Sequence, residues 1–370
     1  MRRAIIVLTI LLALLAGGIW FGGEILAANR LKAEIEKRPD LAAASVAPLR
    51  APPSLGVMIE APRIGPGSPA IRADQVRLLV DPLAPLTLRL VLPDRLTLTL
   101  DGRDLGLTGQ DLDAEIGFSP LHGRSVKRAR MQGSNLALDG QPLARAADLQ
   151  LDLNRLGFGS PRAARAAYRV MVRLDDLSPQ ALSPLVPALA TLGTAISIEG
   201  EATLWLDAPF QPDDPQMPRL VGGQSAGMDL WLGGQALRVI GRITPDAAGL
   251  AEGQVAVYAR DAGAVLDVLA AAGLLPDTAR LLVEAGLSQL ARAEIAPPFD
   301  HGPAMPPPAE GELRLLLTMA DGRMSIGPVP IGPAPLLTAP PAPAAVLPVT
   351  GSVTGAVTGT VTSSAAGPNP

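Results

Sequence analysis

The chain has 370 residues, a net charge of −4, 18% charged residues and 3% aromatics. Mild acidity and few rings exclude the basic stripe and stacking platform of a nucleic-acid binder. With no cysteine and only two histidines, His122 and His301, disulfides, thiolate nucleophiles and a His- or Cys-built metal centre are excluded as well. No cofactor is expected. The 38 glycines and 38 prolines, about one residue in five, predict frequent turns rather than a helix bundle.

Ala4–Gly23 reads AIIVLTILLALLAGGIWFGG, without a charge. Twenty residues at about 1.5 Å each span about 30 Å, the thickness of a bilayer core. Trp20 and Phe21 stand where aromatics favour the headgroup layer. The segment predicts a single transmembrane anchor. A cleaved signal peptide is the alternative, but its small-x-small exit is poor at Leu26-Ala27-Ala28. Arg2 and Arg3 on one side oppose Arg30, Lys32, Lys37 and Arg38 on the other, so flanking charge does not fix orientation. The three-residue leading tail favours an inner-membrane protein with its bulk in the periplasm.

Glu24–Arg38, with Leu26, Leu31 and Ile35, extends the anchor as a helix that Pro39 stops. Residues 40–70 are rich in Ala, Pro and Gly and read as a connector or irregular edge. From about 71 to 174 apolar residues alternate, as in Leu86, Leu88, Leu90 and Leu92, or Leu149, Leu151 and Leu153. This marks strands with one apolar and one wet face. Asp101-Gly102 and Asp139-Gly140 supply hairpin turns, so pairing is antiparallel. A loop with short helical turns follows at 176–195. Strands resume at 196–208, 225–232, 235–243 and 250–260. Asp261 caps the first helix of a helical hairpin over about 261–293, and residues 296–309 form a Pro-rich connector. Leu313–Met319, Asp321-Gly322 and Met324–Ile326 form a last hairpin. Residues 336–370 are a low-complexity tail with repeated Val-Thr-Gly, expected to be disordered. The β-rich domain is thus expected over 39–335, behind an N-terminal unit of 1–38.

Gly223-Gln224-Ser225-Ala226-Gly227 matches the nucleophile-elbow pattern, with Asp229, Asp246, Asp261 and His301 downstream. The elbow needs a strand before it and a helix after it; Met228–Leu232 instead alternates like a strand. A small-residue turn is the expected reading, with a serine hydrolase as the remote alternative. Gly157-Phe158-Gly159 precedes a possible helix start at Ser160-Pro161. Arg162 stands where a dinucleotide fingerprint needs Gly or Ala. The pairs Asp175-Asp176 and Asp213-Asp214 read as solvated loops. Arg124, Lys127, Arg128 and Arg130 form a basic cluster, either the wet face of an edge strand or a contact for anionic headgroups. No catalytic, cofactor-binding or metal-binding residue is assigned.

The hairpin segment Ala271–Pro276, the strand Gly311–Leu317 and the run Asp321–Pro330 together resemble the ending of an uncharacterised bacterial family, domain of unknown function 2125. The resemblance covers roughly residues 5–335 and carries no functional residues. More distantly, the Leu-alternating strands with Asp-Gly turns resemble AsmA-type envelope proteins. That likeness implies a membrane-anchored curved sheet with an apolar groove that handles phospholipid.

About ten strands with three inward apolar residues each give roughly thirty side chains, or about 45–90 kcal/mol at 1.5–3 kcal/mol each, that depend on a cover for that face. The expected fold is mainly β: a curved antiparallel sheet, groove or half-barrel, capped by the helical hairpin. The expected function is non-enzymatic, a lipid-handling envelope module. A structural or interaction scaffold with a filled β core is the alternative. The expected partners are the membrane, through Ala4–Gly23, and phospholipid, but not nucleic acid.

Overall fold

The computed structural model describes residues 23–50, 55–65, 69–81, 83–120, 123, 125–184, 193–211, 217–261, 263, 266, 270, 286 and 302–337. Residues 4–22 of the expected 4–23 anchor, most of the expected helical hairpin, both histidines and residues 338–370 of the expected tail lie outside the described residues. Among those described, no helix is long and apolar enough to cross a membrane.

A helix, α1, covers 23–37 and ends just before Arg38-Pro39, where the residue preceding proline leaves the helical region. Its inward positions are Glu24, Ala28, Leu31 and Ile35, spaced four, three and four apart. Leu26, expected on the apolar side, is exposed.

Nineteen strands follow among the described residues, all in one open antiparallel sheet. The first eight are β1 (Leu41–Ala42), β2 (Ser45–Pro48), β3 (Leu55–Glu60), β4 (Arg63–Ile64), β5 (Ala70–Ala73), β6 (Gln75–Asp81), β7 (Ala84–Val91) and β8 (Arg95–Leu100). They are the halves of four interrupted long strands. β2, β3, β6 and β7 pair in that order, as do β1, β4, β5 and β8, and both rows end on the long strand β9 (Arg103–Phe118). Backbone hydrogen bonds bridge the line of breaks, Ala61 N to Asp74 O at 2.8 Å and Leu92 N to Leu112 O at 2.9 Å. Ala61 and Asp111 take positive φ there, at 45° and 51°. Of the two expectations for 40–70, a connector or an irregular edge, the second holds: the region is the sheet's first edge. Its strands escape notice because they are short and broken by Pro and Gly.

From β9 the sheet is a meander of neighbours: β10 (Val126–Leu138), β11 (Gln141–Asn154), β12 (Ala166–Leu177), β13 (Ile196–Leu206), β14 (Leu220–Leu232), β15 (Gln235–Pro245), β16 (Ala251–Ala259), β17 (Leu313–Ala320), β18 (Arg323–Ile326) and β19 (Val329–Pro333). The expected hairpin turns form: Asp101-Gly102, Asp139-Gly140 and Asp321-Gly322 all hold positive φ at both residues, the geometry that matches strand twist. The last hairpin gains a strand not foreseen, β19, which carries Pro330 and Pro333 at the sheet's far edge.

The register puts apolar residues in unbroken rows across the sheet. One row runs Ile116, Ala129, Leu151, Val170 and Ala202; a parallel one runs Ala114, Met131, Leu149 and Val172. The opposite face is charged, with Arg130 bound to Asp148 at 2.6 Å and Arg128 to Asp152 at 2.7 Å. Burial pushes the Asp152 carboxyl up, but hydrogen bonds from Arg128 and Gln150 outweigh it and hold it below the usual carboxylate value.

Candidate functional site

The apolar face is covered at its two ends and exposed between them. At the N-terminal end α1 lies on it. Leu31 and Ile35 line a cavity of about 230 Å3 together with Ile59 and Leu78 from one side of the break line and Ile71 and Leu96 from the other. Glu24, 1% exposed, fixes the start of this helix: its carboxylate accepts from Arg50 N at 3.1 Å and Gly56 N at 3.2 Å. A buried carboxylate needs such donors, because leaving it without them costs several kcal/mol, about 1–3 even for a neutral group. A lone acid in line with Ala28, Leu31 and Ile35 was the available sequence signal for this contact.

At the C-terminal end a core of Leu237, Ala259, Leu315, Leu317, Met324 and Ile326 is covered by Leu266, with Ala270 and Leu337 packed beside it. Leu266 and Ala270 are helical, and Asp261 accepts from Gly263 N at 2.9 Å, the expected cap. These positions lie within the helical hairpin read from sequence; its remainder is outside the described residues.

Between these covers, on β9–β11, the face is open. Ile116, Met131 and Leu149 are among the exposed large apolar residues. Exposed apolar runs of this kind are where proteins meet partners, membranes or ligands. Tyr168 closes one end of the open stretch. Its hydroxyl donates to Val126 O and accepts from Phe210 N, both at 3.0 Å, and its ring lies 5.2 Å from that of Phe210. Burial raises the phenol's pKa, against the opposing hydrogen bond from Phe210. Sequence reading gave no hint of this latch.

Ser225 is inside β14, which begins five residues earlier than expected, so the motif is a strand and not a turn. The register slips between Ser225 and Met228, a bulge. The hydroxyl donates to Glu201 O at 2.8 Å and accepts from Gly227 N at 3.2 Å. Asp229 is on the charged face of the same strand, and Asp246 accepts from Ala248 N and Leu250 N in its own turn. Neither meets Ser225 in a hydrogen bond.

Gly157-Phe158-Gly159 lies in a turn closed by Ser160 N to Gly157 O, a second turn follows at 161–164, and no helix starts at Ser160. Asp175 and Asp176 are not in a loop but in β12, and both are within ion-pair reach of Arg145, Asp176 at 2.8 Å. Asp213, Asp214 and Arg124 are outside the described residues. Arg128 and Arg130 belong to an interior strand, not an edge. No cluster of metal-ligating groups occurs among the described residues.

A family model described as "Uncharacterized protein conserved in bacteria (DUF2125)" matches residues 48–335. No curated protein and no solved structure matches the chain. The matched span begins in β2 and runs two residues past β19, so it takes in the open face and its C-terminal cover. Residues 48–335 are most of the chain, and the protein belongs to this bacterial family.

Proposed function

We propose that this protein is a non-enzymatic module of the bacterial envelope, anchored in the inner membrane by residues 4–23 with its bulk in the periplasm. Its curved sheet holds lipid acyl chains in an apolar groove. The observation that carries the reading is the continuous apolar face, buried at both ends and exposed at Met131 and Leu149. Acyl chains suit such a face because contact with it is non-directional and scales with the apolar area removed from water. The face lacks the convergent polar groups that would orient a small polar substrate. The distant likeness to AsmA-type proteins points the same way.

Native mass spectrometry of the full chain released from gently treated membranes tests the groove. Bound phospholipid that is lost in the Met131→Glu, Leu149→Glu double variant is the expected result; a lipid-free mass for the parent chain sinks it. A reporter fused after residue 340 tests the orientation, and cytoplasmic activity alone rejects it. A second reading, a scaffold with a filled core, is favoured by the dense packing around Leu315 and Ile326. It predicts the lipid-free mass.

A further inference from the structure

Every strand from β6 to β15 ends at one of two rims, and the rims differ. The turns at Asp101-Gly102, Asp139-Gly140 and Gly233-Gly234 form one rim together with the 178–195 connection, and the three turns are polar and bear none of the described exposed large apolar side chains. The other rim gathers the β6–β7 turn, the β9–β10 loop, the loop 155–165 and the loop 207–219, as the pairings Asp81 with Ala84, Phe118 with Val126, Asn154 with Ala167 and Leu206 with Leu220 require. On this second rim stand Leu83, 93% exposed, Phe158, 98% exposed, and Met217, 83% exposed, with Leu156 half-exposed beside Phe158.

The same rim is basic. A concavity of about 740 Å3 is lined by Lys127, Arg155 and Arg165 with Leu153, Leu156 and Pro209, and no carboxylate among the described residues lines it. Loop 155–165 carries Arg155, Arg162 and Arg165 and no acid. The carboxylates of Asp81, Asp207 and Asp246 on this rim are engaged locally: Asp81 accepts from Leu83 N, Asp207 from Arg219 and Asp246 from Ala248 N.

The chain also enters here. Glu24 is bound to Arg50 and Gly56 beside the start of β3, and Leu55 pairs with Val80 at the rim-side end of β6. The uncharged segment ending at Gly23 therefore meets the domain at the rim that bears the exposed apolar tips.

We propose that this rim docks on the anionic surface of the membrane that holds residues 4–23. Leu83, Phe158 and Met217 insert at headgroup depth, and Lys127, Arg155 and Arg165 meet lipid phosphates. The inference rests on the anchoring part of the proposed function but not on its lipid groove. Docking in this pose opens the covered-to-exposed apolar face toward the bilayer at one end. Aromatic and aliphatic tips flanked by arginine suit the interface, where apolar contact and anionic attraction add.

The chain has no native cysteine, so single-cysteine variants can be labelled uniquely. Phe158→Cys, Leu83→Cys and Met217→Cys, with Gln141→Cys on the opposite rim as reference, are each labelled with an environment-sensitive dye. Each full-length protein is reconstituted into phosphatidylcholine vesicles with or without phosphatidylglycerol. Headgroup-depth nitroxide lipids should quench the three rim labels at least about twofold more than the reference, given that only the rim lies within the interfacial layer. The difference should grow with phosphatidylglycerol. Arg155→Glu with Arg165→Glu should remove that growth, since each positive charge is worth about a fivefold change in the docked ratio. Equal quenching at both rims in vesicle-bound protein overturns the docking and leaves the anchor standing. Failure of the chain to stay with vesicles overturns both. Rim-selective quenching in a protein that carries no lipid upholds the docking and removes only the groove.

Discussion

At β15–β18 the apolar sheet face is closed: Leu315 is 1% exposed and Ile326 0%. At β10 and β11 the same face leaves Met131 55% and Leu149 41% exposed. Both regions share the antiparallel pairing and this apolar face, but the reverse side is charged at β10 and β11 and holds a second small core of Ile240, Ala256, Tyr258 and Leu316 at β15–β17. On the shared face, Leu266 and Leu337 pack over one region and, among the described residues, no such side chain packs over the other. Alternation therefore specifies which side of a strand is apolar, while a cover from elsewhere in the chain decides whether that side becomes core or surface.

The sharpest way to break this contrast is a pair of truncations. Leu315→Ala should cost about 2–5 kcal/mol, because a closed site leaves a cavity. Met131→Ala should stay within about 0.5 kcal/mol, as for a surface position. Urea midpoints measure both, and equal losses would mean that the central face is covered in solution. Next is the other cover. Glu24→Ala strips the acceptor from the buried Gly56 N–H and from the part-buried Arg50 N–H and should cost about 1–3 kcal/mol, with faster amide exchange at Arg50 and Gly56.

The Met131→Glu, Leu149→Glu pair sharpens the contrast from the ligand side. Placing charge in an apolar contact should weaken lipid retention at least about tenfold, or 1.4 kcal/mol, with the urea midpoint unchanged. A parallel fall in stability would assign those residues to the core instead. The smallest effect belongs to the wet face. Asp152→Asn should cost about 0.2–1 kcal/mol at neutral pH. The native pKa of Asp152 lies below its ordinary value near 3.8. Its stabilisation is therefore present above that value and is lost as pH falls through the lower, folded-state pKa. The difference between parent and variant should vanish in acid, and one that persists there would assign the loss to packing rather than charge.

Much of the sheet was legible because Leu and Val alternate with polar residues and because Asp-Gly demands positive φ. The first edge was not, since β1, β2 and β4 have two to four residues each, too few to show a period. The start of β14 was hidden by Gly222 and Gly223, which read as a turn. They serve close approach instead: a Cβ at Gly222 would meet Trp205 at 3.1 Å and Thr244 at 3.0 Å. Short stretches of sequence cannot show a demand set by a neighbouring strand. The open face itself could be foreseen only as an excess of apolar strands. Where its cover stops depends on long-range packing, and so does the meeting of Tyr168 with Phe210.

The edge strand β19 has a further consequence. An open sheet of this length offers unpaired backbone at both margins, which in a crowded compartment is a template for end-to-end polymerisation. Val329-Pro-Ile-Gly-Pro333 carries two prolines that have no N–H to offer an incoming strand. At the opposite margin β2 ends in Pro48. The sheet can therefore keep its broad side available for binding while its margins resist recruitment of a second copy, so exposure is separated from the hazard of fibre growth.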